Sequence, residues 1–177
     1  MRRMAGDRVR DIRTSIFTII DLQYYNMLQS FGLIRSNAQH QIIYKRPSFY
    51  GVQHMASFFD DTVEPVGELE YTSNAYRKLT VAGFKKEGTP IALVWYKDPV
   101  PDDDMKWDLV TLTVKNTNFK DPIYVEMVSG KVFEINQSDW ENKGTDIVFK
   151  KLPVWDSVVM IAERSEVQVK ENSFFDE

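Results

Sequence analysis

The apolar positions of this chain follow two periods that meet near Asp61. In the stretch KRPSFYGVQHMASFFDD, Lys45 to Asp61, the residues Phe49, Val52, Ala56 and Phe59 recur at steps of three, four and three, which lines them along one face of a helix. Pro47 suits the first turn, where its missing N–H costs nothing. Tyr50, Met55 and Phe58 widen the stripe and leave Gln53, His54 and Ser57 as a thin polar strip, so this helix requires neighbours on several sides. Asp60 and Asp61 place negative charge where the helix dipole disfavours it and predict the end of the element. Upstream, residues 3–13 read as a short basic helix with Ala5, Val9 and Ile12 on one side. TSIFTIID follows, with Ile16, Phe17, Ile19 and Ile20 in a nearly continuous apolar run that predicts a strand buried on both faces. The intervening Asp21 to Arg46 has no strong periodicity and reads as a long loop.

Beyond Asp61 the pattern becomes short β-rich runs broken by turn residues. Strands are expected in LEYTSN, RKLTVAGFKK, PIALVWYK, DLVTLTVKN, IYVEMVS, KVFEIN, DIVFKKL and SVVMIAER, with turns at EGTP, DPVPDDD, NTNFKDP, SGK and ENKG. Leu109, Thr111 and Thr113 alternate with Val110, Leu112 and Val114, and Ile147 with Phe149, as in strands with one wet face. IALVW is apolar throughout and is the expected central strand. The fold class is therefore mainly β: an antiparallel β-sandwich over residues 61–170, preceded by a helix, strand, loop and helix in residues 1–60 and followed by a loose tail, 171–177.

Composition narrows the chemistry. A net charge of −4 with 43% apolar residues describes an ordinary globular chain without the basic excess of a nucleic-acid binder. Residues 1–60 carry eight Lys or Arg against four Asp, and residues 61–177 carry 14 against 22 acids, so the two parts differ in sign. There is no cysteine, and two histidines, His40 and His54, are too few for an ordinary zinc site. No apolar run reaches the length of a membrane helix, and MRRMAGDRVRDIR lacks the apolar core of a signal peptide. No Gly-rich phosphate cradle, nucleophile elbow or HExxH is present, and no cofactor is expected. PDDDMKWD offers oxygen ligands of the kind calcium takes, but its spacing matches no calcium loop and reads as a solvated acidic turn. Among Trp95, Tyr96, Trp107, Trp140 and Trp155, a flat platform for a pyranose ring is conceivable; Trp95 lies within an apolar strand and belongs to the core, whereas Trp107 and Trp140 flank polar loops and are the better candidates.

Taken together, RRMAGDRVRDIRTSIFTIIDL, then GLIR, then YKRPSFYGVQHMASFFDD resembles the end of the TIM-barrel domain in large retaining glycoside hydrolases, where the last barrel strand leads through a long loop to a final helix. IALVWYKD, VEMVSGKVFEI and LPVWDSVVMIAER are similar to strands of the all-β domain that follows in those enzymes, with Val158 at a position usually held by Pro. The resemblance spans most of residues 2–167. It implies that both catalytic glutamates lie upstream of this segment, and residues 1–60 contain no Glu at all. It also implies that Asp21, just after the last barrel strand, faces the active-site end, with Tyr24 and Tyr25 as stacking surfaces; the plainer reading is an Asp capping a loop beside locally packed tyrosines. The expected function is a non-catalytic C-terminal region supporting a barrel, with a free-standing carbohydrate-binding sandwich as the rival and an intact enzyme of unrecognised chemistry as a third reading. Expected partners are carbohydrate, or a barrel portion or second copy of the chain meeting the apolar helix 47–60; nucleic acid and membrane are not expected.

Overall fold

The computed structural model describes residues 1–97 and 106–167. Helix α1 (Arg2–Val9) opens the chain, and four short strands follow: β1 (Leu22–Tyr24), β2 (Met27–Gln29), β3 (Ile34–Ser36) and β4 (Ile42–Lys45). Helix α2 (Pro47–Phe58) leads into β5 (Val63–Glu68), β6 (Tyr71–Ser73), β7 (Leu79–Lys86), β8 (Thr89–Tyr96), β9 (Asp108–Val114), β10 (Pro122–Glu126), β11 (Lys131–Glu134), β12 (Trp140–Lys143), β13 (Asp146–Val154) and β14 (Val159–Glu163). The long strands form two antiparallel sheets, one in the order β11-β10-β14-β8-β7-β5 and the other β12-β13-β9-β6. As the sequence predicts, the fold is mainly β and sandwich-like, and the all-apolar β8 lies inside its sheet.

The larger sheet is buried on both faces, which explains why its central strands are apolar throughout. One set of side chains, including Val81, Val94, Tyr96 and Ile161, meets Val110, Leu112, Ile147 and Phe149 of the smaller sheet. The alternate set, including Phe84, Leu93, Trp95, Ile123 and Met160, meets Ala5 and Val9 of α1 and Met55 of α2. This second contact is where the apolar helix goes. Its docking line is Gly51, Met55 and Phe58, on the flank of the stripe the spacing predicts, and Ala56 of that stripe faces solvent. Phe59, which caps the helix, sets its ring 4.9 Å from that of Phe84. His54 Nδ1 lies 3.0 Å from the Met127 carbonyl oxygen, and its ring leaves no room for a side chain at Gly130, where φ is +72° in the β10–β11 turn. Charge asymmetry serves the same docking. Arg8 donates to the carbonyls of Asp60 and Val63 at 2.9 and 2.8 Å, Arg2 to that of Tyr96 at 2.9 Å, and Arg10 pairs with Glu68 at 3.1 Å.

Several expectations need correction. TSIFTIID is not a buried strand: Phe17 is 78% and Ile19 61% exposed, and the segment's one bridge is a parallel contact of Ile20 with Ile34. The pattern recognises apolar side chains but not what covers them, and both large sheets are complete without this segment. The predicted loop 21–46 contains two hairpins, β1–β2 and β3–β4, whose strands of three or four residues are too short to show a period. VEPVGE, which is not among the expected strands, is edge strand β5, where a register shift between Pro65 and Gly67 accommodates the proline. Part of the expected ENKG turn is edge strand β12. The turn DPVPDDD and the tail 171–177 lie outside the described residues.

Truncating Met55, buried between α2 and the sheet, to Ala is expected to cost about 2–5 kcal/mol in denaturant unfolding. Tyr50→Ala on the open side of the same helix is expected to stay within about 1 kcal/mol.

Candidate functional site

Two places in the structure gather the residues singled out by the sequence. The first is centred on Asp21. Residues 18–21 run parallel to 33–34, with Leu33 N donating to Thr18 O at 3.2 Å, Ile34 N to Ile19 O at 2.8 Å, and Asp21 N to Ile34 O at 3.1 Å. This pairing drives the Asp21 side chain into the base of the two hairpins, where it is fully buried. Its Oδ1 accepts from Gly32 N at 3.0 Å and Arg46 Nη1 at 2.8 Å; its Oδ2 accepts from Arg46 Nη2 at 3.0 Å and from Arg35 Nη1 and Ser36 N, both at 3.3 Å. The bidentate Arg46 is itself held through its backbone N–H on Leu33 O and a guanidinium contact to Gly32 O. Gly32 is required here because a Cβ would stand 2.4 Å from the Ile20 carbonyl carbon.

These donors hold the Asp21 carboxyl far below the usual carboxylate range, the Arg46 hydrogen bonds first and the Gly32 and Ser36 amides after them, against the opposing effect of burial. An acid so placed stays ionised at neutral pH and has no oxygen turned to solvent. It closes the chain on itself between residues 21 and 46. Tyr24 and Tyr25 stand outside this knot, 59% and 85% exposed, with their rings edge to face at 4.6 Å. Tyr25 has φ +50°, because it turns the β1–β2 hairpin. Nothing in the geometry brings either ring to the Asp21 carboxylate.

The second place is a cleft of about 620 Å³ where the sheets part beside β11, the end strand of the larger sheet. Trp107 lines it and is exposed, whereas Trp140 is buried in the inter-sheet core and is not among the lining residues. Trp95 and Tyr96 are also core, the latter donating its hydroxyl to Asp108 Oδ2 at 2.7 Å with the Arg77 guanidinium 3.9 Å from its ring centre. Four further aromatic residues line the cleft, Tyr124, Phe133, Phe149 and Trp155, none of them in the pair that the polar flanks single out. Tyr124 and Phe133 face each other across the β10–β11 pair with ring centres 6.0 Å apart. The signal available in the sequence was their place in strands on either side of the SGK turn, which puts two aromatics directly opposite. Among the described residues no group of three or more His, Asp or Glu side chains is arranged to hold a metal ion.

Neither a scan against protein-family models nor a search of the curated proteins gives a match to this chain.

Because Asp21 has its pKa lowered on folding, its contribution is complete above the ordinary value of about 3.9 and is lost as pH falls below it. Asp21→Asn is expected to lower the melting temperature at pH 7, leaving Arg46 without its counter-charge, and to flatten the loss of stability from about pH 4 down to about pH 2. Thermal unfolding across that range checks both.

Proposed function

We propose that this chain is the non-catalytic C-terminal region of a retaining TIM-barrel glycoside hydrolase, in which residues 1–60 supply the last part of the barrel wall and the sandwich supports it from outside. The observation that carries this reading is the distribution of exposed apolar side chains. Among the described residues, twelve of the seventeen large exposed hydrophobics lie between Ile12 and Tyr50. They occupy the extended segment (Ile16, Phe17, Ile19) and both hairpins (Met27, Ile42, Ile43), and large apolar side chains exposed in such number over one stretch mark an interaction surface.

The geometry of that surface fits a barrel wall. Residues 18–20 already accept a parallel neighbour on one edge through Leu33 and Ile34, and parallel pairing is what a barrel strand needs on its other edge. The apolar run on both faces of TSIFTIID makes sense only where both faces are covered. Meanwhile α1 and α2, on the opposite side, are anchored to the sandwich by Arg8, Met55 and Phe59, which gives the wall a fixed support. The resemblance in RTSIFTIIDL, GLIR and YKRPSFYGVQHMASFFDD supports the same assignment.

Retaining hydrolysis needs two carboxyls about 5–5.5 Å apart, one holding a proton at working pH. In residues 1–60 Asp21 is locked among arginines and amides, and Asp7 accepts from Arg3 and Thr14 at 2.6 and 2.9 Å with its pKa lowered, first by the Arg3 hydrogen bond. Neither suits the proton donor's role.

The purified chain is expected to release no aryl alcohol from aryl glycosides, and turnover lost on heat denaturation overturns the non-catalytic claim. Phe17→Ser with Ile43→Ser is expected to reduce binding of an apolar-surface dye without lowering the melting temperature, because both side chains are exposed. Extending the chain with the coding sequence upstream should protect the amides of residues 15–20 in hydrogen exchange; unchanged exchange there counts against a barrel partner.

A further inference from the structure

The loop that joins β11 of the larger sheet to β12 of the smaller one carries a triplet with its own chemistry. Of the eight asparagines in the chain, Asn136 alone is followed two residues on by Ser or Thr, here Ser138, with a residue other than Pro between them, Gln137. N-linked glycan transfer acts on this triplet: the Asn amide nitrogen is the acceptor, and the hydroxyl two residues on is the group by which the transferase reads the site. Such a triplet is usable where it stands clear of the fold, and this one does. Ile135 packs against the inter-sheet core and Trp140 is buried within it, so the loop is fixed at both feet. Asn136, Gln137 and Ser138 are all exposed between them.

The two side chains that matter are also uncommitted. Asn136 is the N-cap of the single 3-10 turn Gln137–Asp139, a place where Asn ordinarily accepts from the helix amides, yet its side chain makes no cap bond. Among the described residues its Nδ2 makes one long contact, 3.4 Å to Asp139 Oδ2. By contrast, Asn37, Asn118 and Asn142 donate their amide nitrogens to Gln41 Oε1, the Gly144 carbonyl and the Phe119 carbonyl at 2.8, 3.2 and 2.7 Å. Ser138 engages its backbone carbonyl, which accepts from Lys150 Nζ at 3.1 Å, and among the described residues its Oγ makes no hydrogen bond. Neither side chain holds the fold together.

Asn136 lines the cleft together with Phe133 and Trp107, whose rings are 50% and 59% exposed. A bulky, solvated glycan rooted there would cover two large rings that the sandwich leaves in water.

We propose that Asn136 is an acceptor for N-linked glycosylation and that the attached glycan shields the aromatic opening of the cleft. In the transfer, a bond forms between Asn136 Nδ2 and the anomeric carbon of an oligosaccharide carried on a lipid pyrophosphate. The bond from that carbon to the pyrophosphate oxygen breaks, the pyrophosphate leaves with the electron pair, and the amide proton passes to a base of the transferase. The site uses only residues of the sandwich, so its failure leaves the barrel assignment standing.

The test expresses the full chain behind a cleavable secretion signal in yeast, beside a secreted reporter that carries one occupied acceptor. A mass increment is expected on the peptide containing Asn136, removed by peptide N-glycosidase, which leaves Asp at that position. Asn136→Gln and Ser138→Ala are each expected to abolish the increment, and Ser138→Thr to retain it. Made in a host without glycosylation, all three variants are expected to melt with the parent chain, because both side chains are exposed and unengaged. Removing the glycan is expected to raise acrylamide quenching of tryptophan fluorescence, and Trp107→Phe to cancel that rise. An unmodified Asn136 beside an occupied reporter, or an increment that survives Asn136→Gln, overturns the acceptor; quenching unchanged on removal of the glycan overturns the shielding.

Discussion

Everything in this fold depends on the need to cover both faces of one sheet. Strands β7, β8 and β14 are apolar on successive residues, so their sheet cannot leave either side in water. The smaller sheet covers one face and the helices α1 and α2 cover the other. That requirement binds the opening third of the chain to the sandwich. Without Met55, Val9 and Ala5 in place, Phe84, Leu93 and Trp95 would lose their cover. The basic character of α1 assists, since its arginines find carbonyls and Glu68 on the sandwich side.

The opening third consequently has two unlike sides. One is satisfied by the sandwich; the other carries Phe17, Ile19, Ile42 and Ile43 into solvent. Between them sits the Asp21 knot, which fixes both hairpins relative to α2 through Arg46, the residue immediately before that helix. A buried ion pair of this kind is poor evidence of stability by itself, because desolvation offsets much of the attraction. Its role is positional: five donors converge on two oxygens from three separate stretches of chain, and only one arrangement satisfies them all. The exposed side is thus presented in a defined shape rather than as loose chain.

The cleft belongs to the other end of the argument. It lies beside β11, the end strand of one sheet, and is lined also by the last residues of β13 and by Trp155 just beyond them. Sequence reasoning brought forward Trp107 and Trp140 by their polar surroundings alone. Trp140 sits in an edge strand whose side chain points inward, opposite Phe149, and is core. Trp107 shares the cleft with Tyr124, more than a dozen residues away in sequence, a proximity no local pattern records.

The sequence by itself determined the elements whose side chains repeat with a clear period: helix α2 from Pro47 to its end before Asp60, the strands β7 to β11, β13 and β14, and the central place of IALVW. It determined these because burial against any apolar neighbour imposes the same period, whatever that neighbour is. It also showed that 14–21 is apolar on both faces. Only tertiary structure decided that this run lies uncovered, that α2 docks through Gly51 and Met55 rather than along Phe49, Val52 and Ala56, and that Asp21 is an interior anchor. Each of these depends on which surfaces meet across long separations in sequence, and a periodicity states only that a side chain is apolar, not which surface will cover it.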